Sequence, residues 1–361
     1  MMMKKILVAF LVTAAVCSCY RKPLYLGEPV ETDISVSANM SIETIWDTDW
    51  KTNLRYEWDE ELYGPIGYRS DFDYITGDFY RITSGDREFS LSEQFKMNEL
   101  TKINVTLGRT YDALFYSELN NNIHSDSPGN EYFRVETQAA GSKVVKFDID
   151  YPLMEQPDEL FSEMKGKLLI SPESGHYKKV ERDGKIIGVY NIDVTIVPVT
   201  YIYIFQFVFV DDDKTIPFIT KDVTGLTING LARSKDLFTG KTFTDKAKIF
   251  TSDIKPGQWE GDSLRFVSRI LTYGLPSDIA EGSSWSEQDD SKCQLGIELR
   301  TVSGEIRQGA VDITQIMRKK NKGGVITIVL KNSTINTDPS EGGGFDINIG
   351  EWDDIETDII L

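Results

Sequence analysis

The sequence predicts an all-β protein, two sandwich domains behind an export signal, and three observations carry that expectation. Apolar and polar residues alternate with period two through most of the 361-residue chain. Helical periodicity is nearly absent. Between Ile192 and Val210 lies a long run dense in Val, Ile, Thr, Tyr and Phe, residue types that suit a pleated, buried surface.

The chain opens with Lys4 and Lys5, then runs apolar and uncharged from Ile6 to Val16. A membrane-spanning helix needs roughly 20 apolar residues, so this run instead fits the h-region of a secretory signal. Val16-Cys17-Ser18-Cys19 follows, and a small residue directly before a cysteine resembles a bacterial lipobox. In that motif the thiol takes a diacylglycerol group before the signal is cut. Ser18 precedes Cys19, whereas bulkier Val16 precedes Cys17, so Cys19 is the expected lipidation site. The alternative is a secreted protein with two spare cysteines. Charge, apolar run and cysteine coincide at one place and favour the lipoprotein. Residues 1–18 are then signal and 19–30 a lipidated linker. Acyl chains such as palmitate make the membrane a partner without a spanning helix.

Loss of Lys4 and Lys5 leaves 37 of the 39 basic residues against 57 acidic ones, a net charge of −20. Such a balance repels nucleic acid, so no nucleic-acid partner is expected. Only Cys293 remains as a thiol, which rules out an intrachain disulfide. It alternates inward with Leu295, Ile297 and Leu299, the pattern of a core residue in a half-buried strand.

Ile34, Val36, Ala38, Met40 and Ile42 mark a first alternating strand, and Ile103, Val105 and Leu107 another. The run Ile192–Val210 reads as strand, turned at Asp211-Asp212-Asp213, with a second strand from Ile216, both buried on two faces. Asp193, Pro198 and Gln206 argue against a transmembrane helix there. Pro157 to Phe161 is the expected boundary, giving domains 31–157 and 158–361. Val311–Lys320 is expected to hold a short helix, and Phe345, Ile347 and Ile349 a last strand.

Chemistry is sparse. The only histidines are His124 and His176, with no zinc-ligand cluster and no G-x-S-x-G elbow. Gly240-Lys241-Thr242 lacks the upstream glycine of a phosphate loop, since Lys235 stands there. Asp71 and Asp73 open like a calcium loop, but Ile75 and Thr76 occupy positions that need an oxygen ligand and a glycine. No cofactor, metal or catalytic residue is expected, and the chain reads as a non-enzyme. Carboxylate-dependent hydrolysis stays as a third reading, because paired carboxylates suffice for it. The aromatic group Trp46, Trp50, Tyr56, Trp58, Tyr63 and Tyr68 leaves two readings open, with Trp285 in a polar loop. These rings either belong to the core, or Trp46, Trp50 and Trp285 form a platform on which a glycan stacks.

Several phrases resemble Bacteroidales-type fimbrillin-like lipoproteins. They are Cys19-Tyr20-Arg21-Lys22-Pro23-Leu24-Tyr25-Leu26, Tyr63-Gly64-Pro65-Ile66-Gly67-Tyr68, Tyr111-Asp112-Ala113-Leu114-Phe115-Tyr116 and Gln156-Pro157-Asp158-Glu159-Leu160-Phe161. Pro198-Val199-Thr200-Tyr201-Ile202-Tyr203, Thr227-Ile228-Asn229-Gly230-Leu231-Ala232 and Leu237-Phe238-Thr239-Gly240 continue the likeness in order. The resemblance implies two tandem transthyretin-like β-sandwiches on an outer-membrane, surface-exposed, lipid-anchored protein. Its implied partners are other fimbrial subunits and a host or glycan ligand, reached by pairing strands across chains. It also implies that an arginine-specific protease removes an N-terminal strand, here Ile34 to Ile42, cutting at Arg55 or Arg69. Phe345–Leu361 would be a donor strand; the alternative is that both segments are fixed strands of their own domains. No basic cleavage motif other than Arg21-Lys22 lies between Cys19 and the first domain, which favours a retained anchor or accessory subunit. Intact-mass spectrometry of the mature protein is expected to show an acylated Cys19; an unmodified thiol there would exclude the anchor.

Overall fold

The computed structural model describes residues 29–40, 44–69, 72–96, 99–119, 123–125, 131–141, 151–280, 292–335 and 358–360. Strands dominate, as the alternation requires, and they build two sandwiches.

In the first sandwich, one sheet orders Leu100–Thr106, Pro29–Met40, Lys185–Pro198 and Tyr177–Arg182. The other orders Asp86–Lys96, Tyr74–Thr83, Arg109–Tyr116 and Phe161–Ile170. The two join where Val197 and Pro198 pair with Ser162 and Phe161. Period two sends Phe79, Phe115, Ile103, Ile192 and Val194 into the space between them, all buried in one cluster with Ile34.

In the second sandwich, Lys255–Glu260, Ser263–Thr272, Tyr201–Val210, Gly324–Lys331 and Asp358–Ile360 form one sheet. The facing sheet orders Ile306–Asp312, Gln294–Thr301, Thr220–Ala232, Lys246–Thr251 and Leu153–Met154. Tyr203, Phe205, Phe207 and Phe209 meet Leu226, Ile228, Leu295 and Ile297 across the gap. Cys293 lies fully buried in this cluster, and burial pushes its thiol well above the ordinary range, so it packs as a small apolar residue.

The expected division at 157/158 does not coincide with the change of sheets. Phe161–Ile170 and Lys185–Pro198 still pair within the first sandwich, and the change comes between Pro198 and Tyr201. Conversely, the earlier Leu153–Met154 adds in parallel to the second sandwich at Lys248 and Ile249. The chain therefore crosses between sandwiches more than once. The long apolar run also differs from expectation: it is two strands in two sheets, broken at Val199–Thr200. The strand after the Asp triplet begins at Thr220 rather than Ile216. Asp213 makes the turn by accepting the backbone N–H and hydroxyl of Thr215 at 2.9 and 2.7 Å. Thr314–Lys319 forms the short helix expected within Val311–Lys320. Phe345, Ile347 and Ile349 lie outside the described residues. Among those described, no helix is long and apolar enough to cross a membrane.

A third apolar cluster sits between the sandwiches, with Tyr80, Leu114, Tyr116, Phe133, Phe238 and Tyr273 buried in it. Asp78 faces the same region from Tyr74–Thr83, almost fully buried, and Tyr116 donates its hydroxyl to Asp78 Oδ2 at 3.1 Å. Asp78 Oδ1 and the hydroxyls of Tyr80 and Tyr273 find no partner. Burial raises the Asp78 carboxyl above its usual value, against the opposing pull of hydrogen bonds from Ser92 and Tyr116. A carboxyl whose folded pKa is raised costs nothing while protonated in both states. Stability is lost as pH climbs from the unfolded pKa through the folded one. Asp78→Asn is expected to match the parent in melting below about pH 3.9 and to exceed it by a growing margin as pH rises toward 7. Thermal denaturation across that range reads the difference.

Candidate functional site

Residues 44–69 leave the first sandwich and run across the outer face of the second. This strap begins with the helix Thr44–Asn53, in which Trp46, Asp49, Trp50 and Asn53 fall at positions i, i+3, i+4 and i+7. Trp46 is buried and donates its indole Nε1–H to the carbonyl of Ile202 at 2.7 Å. Asp49 Oδ1 accepts from Lys320 Nζ at 2.7 Å, and Asp49 Oδ2 accepts the Val325 N–H at 2.5 Å. Gly323, at φ 97°, makes this approach possible. A Cβ there would sit 2.3 Å from the Ile202 carbonyl oxygen and 2.8 Å from the Trp46 ring.

Beyond the helix, each turn of the strap finds a partner. The Arg55 N–H donates to Gln206 Oε1 at 2.9 Å, while Gln206 Nε2 donates to Thr327 Oγ1 at 3.1 Å. Gln258 accepts the Glu57 N–H and donates back to the Glu57 carbonyl, at 2.9 and 3.0 Å. Tyr68 donates to the Thr200 carbonyl and accepts the Ile202 N–H. Arg269 donates to the carbonyls of Ile66 and Gly67 and to Glu159 Oε1. Glu159 Oε2 in turn accepts the Arg69 N–H at 2.8 Å. Arg55 and Arg69, the expected protease sites, thus both lie on backbone tied into the strap's contacts.

The expected ring platform is not assembled as a line of exposed faces. Trp46 is 3% exposed and packs against Trp50 at 6.3 Å and Tyr68 at 5.7 Å, which leaves no ring face for a sugar. Trp50 is half-buried, with its Nε1–H on Asp47 at 3.2 Å. Cys19 and Trp285 lie outside the described residues. Sequence reading missed Trp259, whose ring is 59% exposed and leans on Phe218 at 5.0 Å. It missed Asp49, Gln206 and Arg269 as well, the polar residues that seat the strap.

Beside the strap lie two adjoining cavities of about 320 and 370 Å³ that share Gln156, Asp253 and Leu271 in their walls. Trp58 and Tyr63 form the apolar side of the first, edge to face at 5.5 Å. Lys255 Nζ stands 5.6 and 4.9 Å from these two rings and pairs with Asp253 at 2.6 Å. Glu159 is held by Arg269 at 2.7 Å. Asp253 and Glu159 are therefore each paired with a cation, and Glu155 and Asp158 also stand in the wall of the second cavity. Among the described residues, no group of three or more His, Cys, Asp or Glu is placed to hold a metal ion.

The first strand, Pro29–Met40, is enclosed on both edges. It pairs antiparallel with Leu100–Thr106 and parallel with Lys185–Pro198, the latter from Asp33 opposite Val189 to Met40 opposite Ile196. Ile34 is fully buried. At the other end of the chain, Asp358–Ile360 pairs in parallel with Gly324–Lys331 on the side away from Tyr201–Val210.

No family model matches the chain, and no curated protein matches it. Its structure is similar to solved structures from Bacteroidales. One is an adhesin candidate from Bacteroides ovatus, with 12% identity, covering 90% of this chain and 95% of that one at a TM-score of 0.46. Another is a candidate polysaccharide-binding protein from Bacteroides thetaiotaomicron, with 11% identity, 82% and 90% coverage and a TM-score of 0.41. A fimbrial anchor protein from Porphyromonas gingivalis shares 9% identity over 82% of this chain and 90% of its own, again at 0.41.

Burial separates the two tryptophan environments quantitatively. Trp46→Ala is expected to cost about 3–5 kcal/mol of unfolding free energy, and Trp259→Ala to stay within about 0.5 kcal/mol. Equilibrium urea denaturation measures both, and equal costs would remove the strap from the structural account.

Proposed function

We propose that the chain is a non-enzymatic, lipid-anchored protein of the outer membrane surface, an anchor or accessory subunit of fimbrillin-like adhesive assemblies that works by strand pairing. The observation that carries this reading is the seating of the first strand. It is the N-terminal strand nearest Cys19, inserted between two others, and its removal would open two unpaired edges over an apolar groove. A subunit that loses such a strand accepts one from a neighbour; a subunit that keeps it is closed and ends the chain of pairing.

Retention follows from where the cleavable arginines lie. A protease needs an extended, accessible segment, and Arg55 and Arg69 belong to the strap through backbone hydrogen bonds to Gln206 and Glu159. A cut at Arg69 would detach the helix and its cover from the second sandwich together with the first strand. The terminal strand Asp358–Ile360 occupies an edge position from which it can be offered to a neighbouring subunit.

The same reading divides the chain near Val199–Thr200, with Ile123–Ser125 and Arg134–Thr137 joined in a small sheet to Ser234–Asp236 and Leu153–Met154 joined to the second sandwich. A second reading, a surface glycan-binding lipoprotein, draws on the cavity beside Trp58 and Tyr63, whose wall combines rings with planar hydrogen-bonding side chains. Treating intact cells with an arginine-specific protease tests the first. The expected product is a surface monomer of unchanged length. Release of a fragment ending at Arg55 or Arg69, with ordered fibres appearing, would show a polymerising shaft subunit instead.

A further inference from the structure

The hairpin of Tyr177–Arg182 and Lys185–Pro198 stands apart from the rest of the surface in three ways. It turns on Asp183 and Gly184, both at positive φ (52° and 72°), a two-residue loop that gives a tight, twisted tip. Val189, opposite Lys178, is the last of its residues to be buried before the tip, and Lys185 lies four residues further on. Ile186, near that tip, is 75% exposed, the highest value for a large apolar side chain among the described residues. Val180, opposite Ile187 on the paired strand, is also exposed.

Its charge runs against the protein. From Tyr177 to Ile186 stand Lys178, Lys179, Arg182 and Lys185 against Glu181 and Asp183, a local net of +2 in a chain of −18. Screening falls off over about 8 Å at physiological salt, so charges at the turn act locally on a surface that meets it.

The hairpin also lies where the chain leaves the fold toward Cys19. Parallel register sets Asp33 beside Val189, and four residues back on each strand Pro29 comes level with Lys185. Ten residues separate Cys19 from Pro29, a reach of at most about 35 Å.

We propose that this hairpin is a membrane-contact element that sets Ile186 among the headgroups of an anionic lipid surface, with Lys178 and Lys179 against lipid phosphates. Ile186 lies opposite Glu181, and exposed Lys179 and Lys178 follow two and three positions along the paired strand; at an interface an aliphatic side chain lies in the apolar boundary while a lysine ammonium reaches phosphate. The contact holds the first sandwich against the bilayer and directs the second away from it. This inference rests on the lipid-anchored reading above, but it is tested without the lipid.

The mature form from position 19, carrying Cys19→Ser, keeps every described element and no acyl group. It is expected to co-sediment with vesicles of phosphatidylcholine and phosphatidylglycerol in equal parts, and not with phosphatidylcholine alone. Lys178→Glu with Lys179→Glu should weaken that partitioning by about tenfold or more, and Ile186→Ser should weaken it with the charge unchanged. Lys221→Glu with Lys331→Glu, at the far end of the second sandwich, should leave it as it was. Equal binding to both vesicle types, no binding to either, or a Lys178→Glu/Lys179→Glu variant that melts and binds like its parent overturns the proposal. An unmodified thiol at position 19 in cells would instead overturn the anchor and leave the vesicle result standing.

Discussion

Tyr201–Val210 is the strand on which the whole arrangement depends, because it is apolar on both faces. Phe205, Phe207 and Phe209 point into the second sandwich, while Ile202 and Ile204 point out of it, and all five are fully buried. An outer sheet face of that composition cannot be left to water without a large hydrophobic cost. The strap supplies the cover. Its helix puts an amphipathic stripe on the apolar rows, and Gln206, the lone polar residue of the strand's outer face, meets both the strap backbone and Thr327. A buried polar group is tolerable only when so satisfied. The strap is therefore the second sandwich's missing layer, supplied from the N-terminal side of the chain.

That arrangement couples the first strand to a distant sheet. Pro29–Met40 is held by hydrogen bonds on both edges in the first sandwich, and the next described element clasps the second. Freeing the strand at Arg55 or Arg69 would expose part or all of the outer face that the strap now buries. A subunit built to shed its first strand would place the cleavage point before any such cover. Here the cover comes first, and the physical consequence is a closed groove.

Much of the strand content was legible because burial on one face imposes alternation. Ile34, Ile103 and Cys293 point inward where period two puts them. The strap helix was not legible as a helix. It is only ten residues long, and its signal was Trp46, Asp49, Trp50 and Asn53, two of them polar, so no apolar stripe announced it. Read as a cluster of rings, the tryptophans allowed a sugar platform; read at helical spacing, they place Trp46 under the strap. The change of sheets at Val199–Thr200 was hidden for a different reason. Strand membership is a pairing between residues far apart in sequence, and Phe161–Ile170 carries no mark of which sheet it will join. Likewise nothing local in Leu153-Met154 foretells that it extends the second sandwich.

The two contacts between the sandwiches differ in how far their buried polar groups are satisfied. Along the strap, the Trp46 indole, both Asp49 oxygens, the Gln206 amide and the Arg269 guanidinium all have partners. In the third cluster, Asp78 Oδ1 and the hydroxyls of Tyr80 and Tyr273 are buried without any. Each such group is destabilising relative to the open state, where water would satisfy it. On the strap side Arg69 Nε is likewise buried without a partner, so both contacts carry a polar cost and the third cluster carries the larger one.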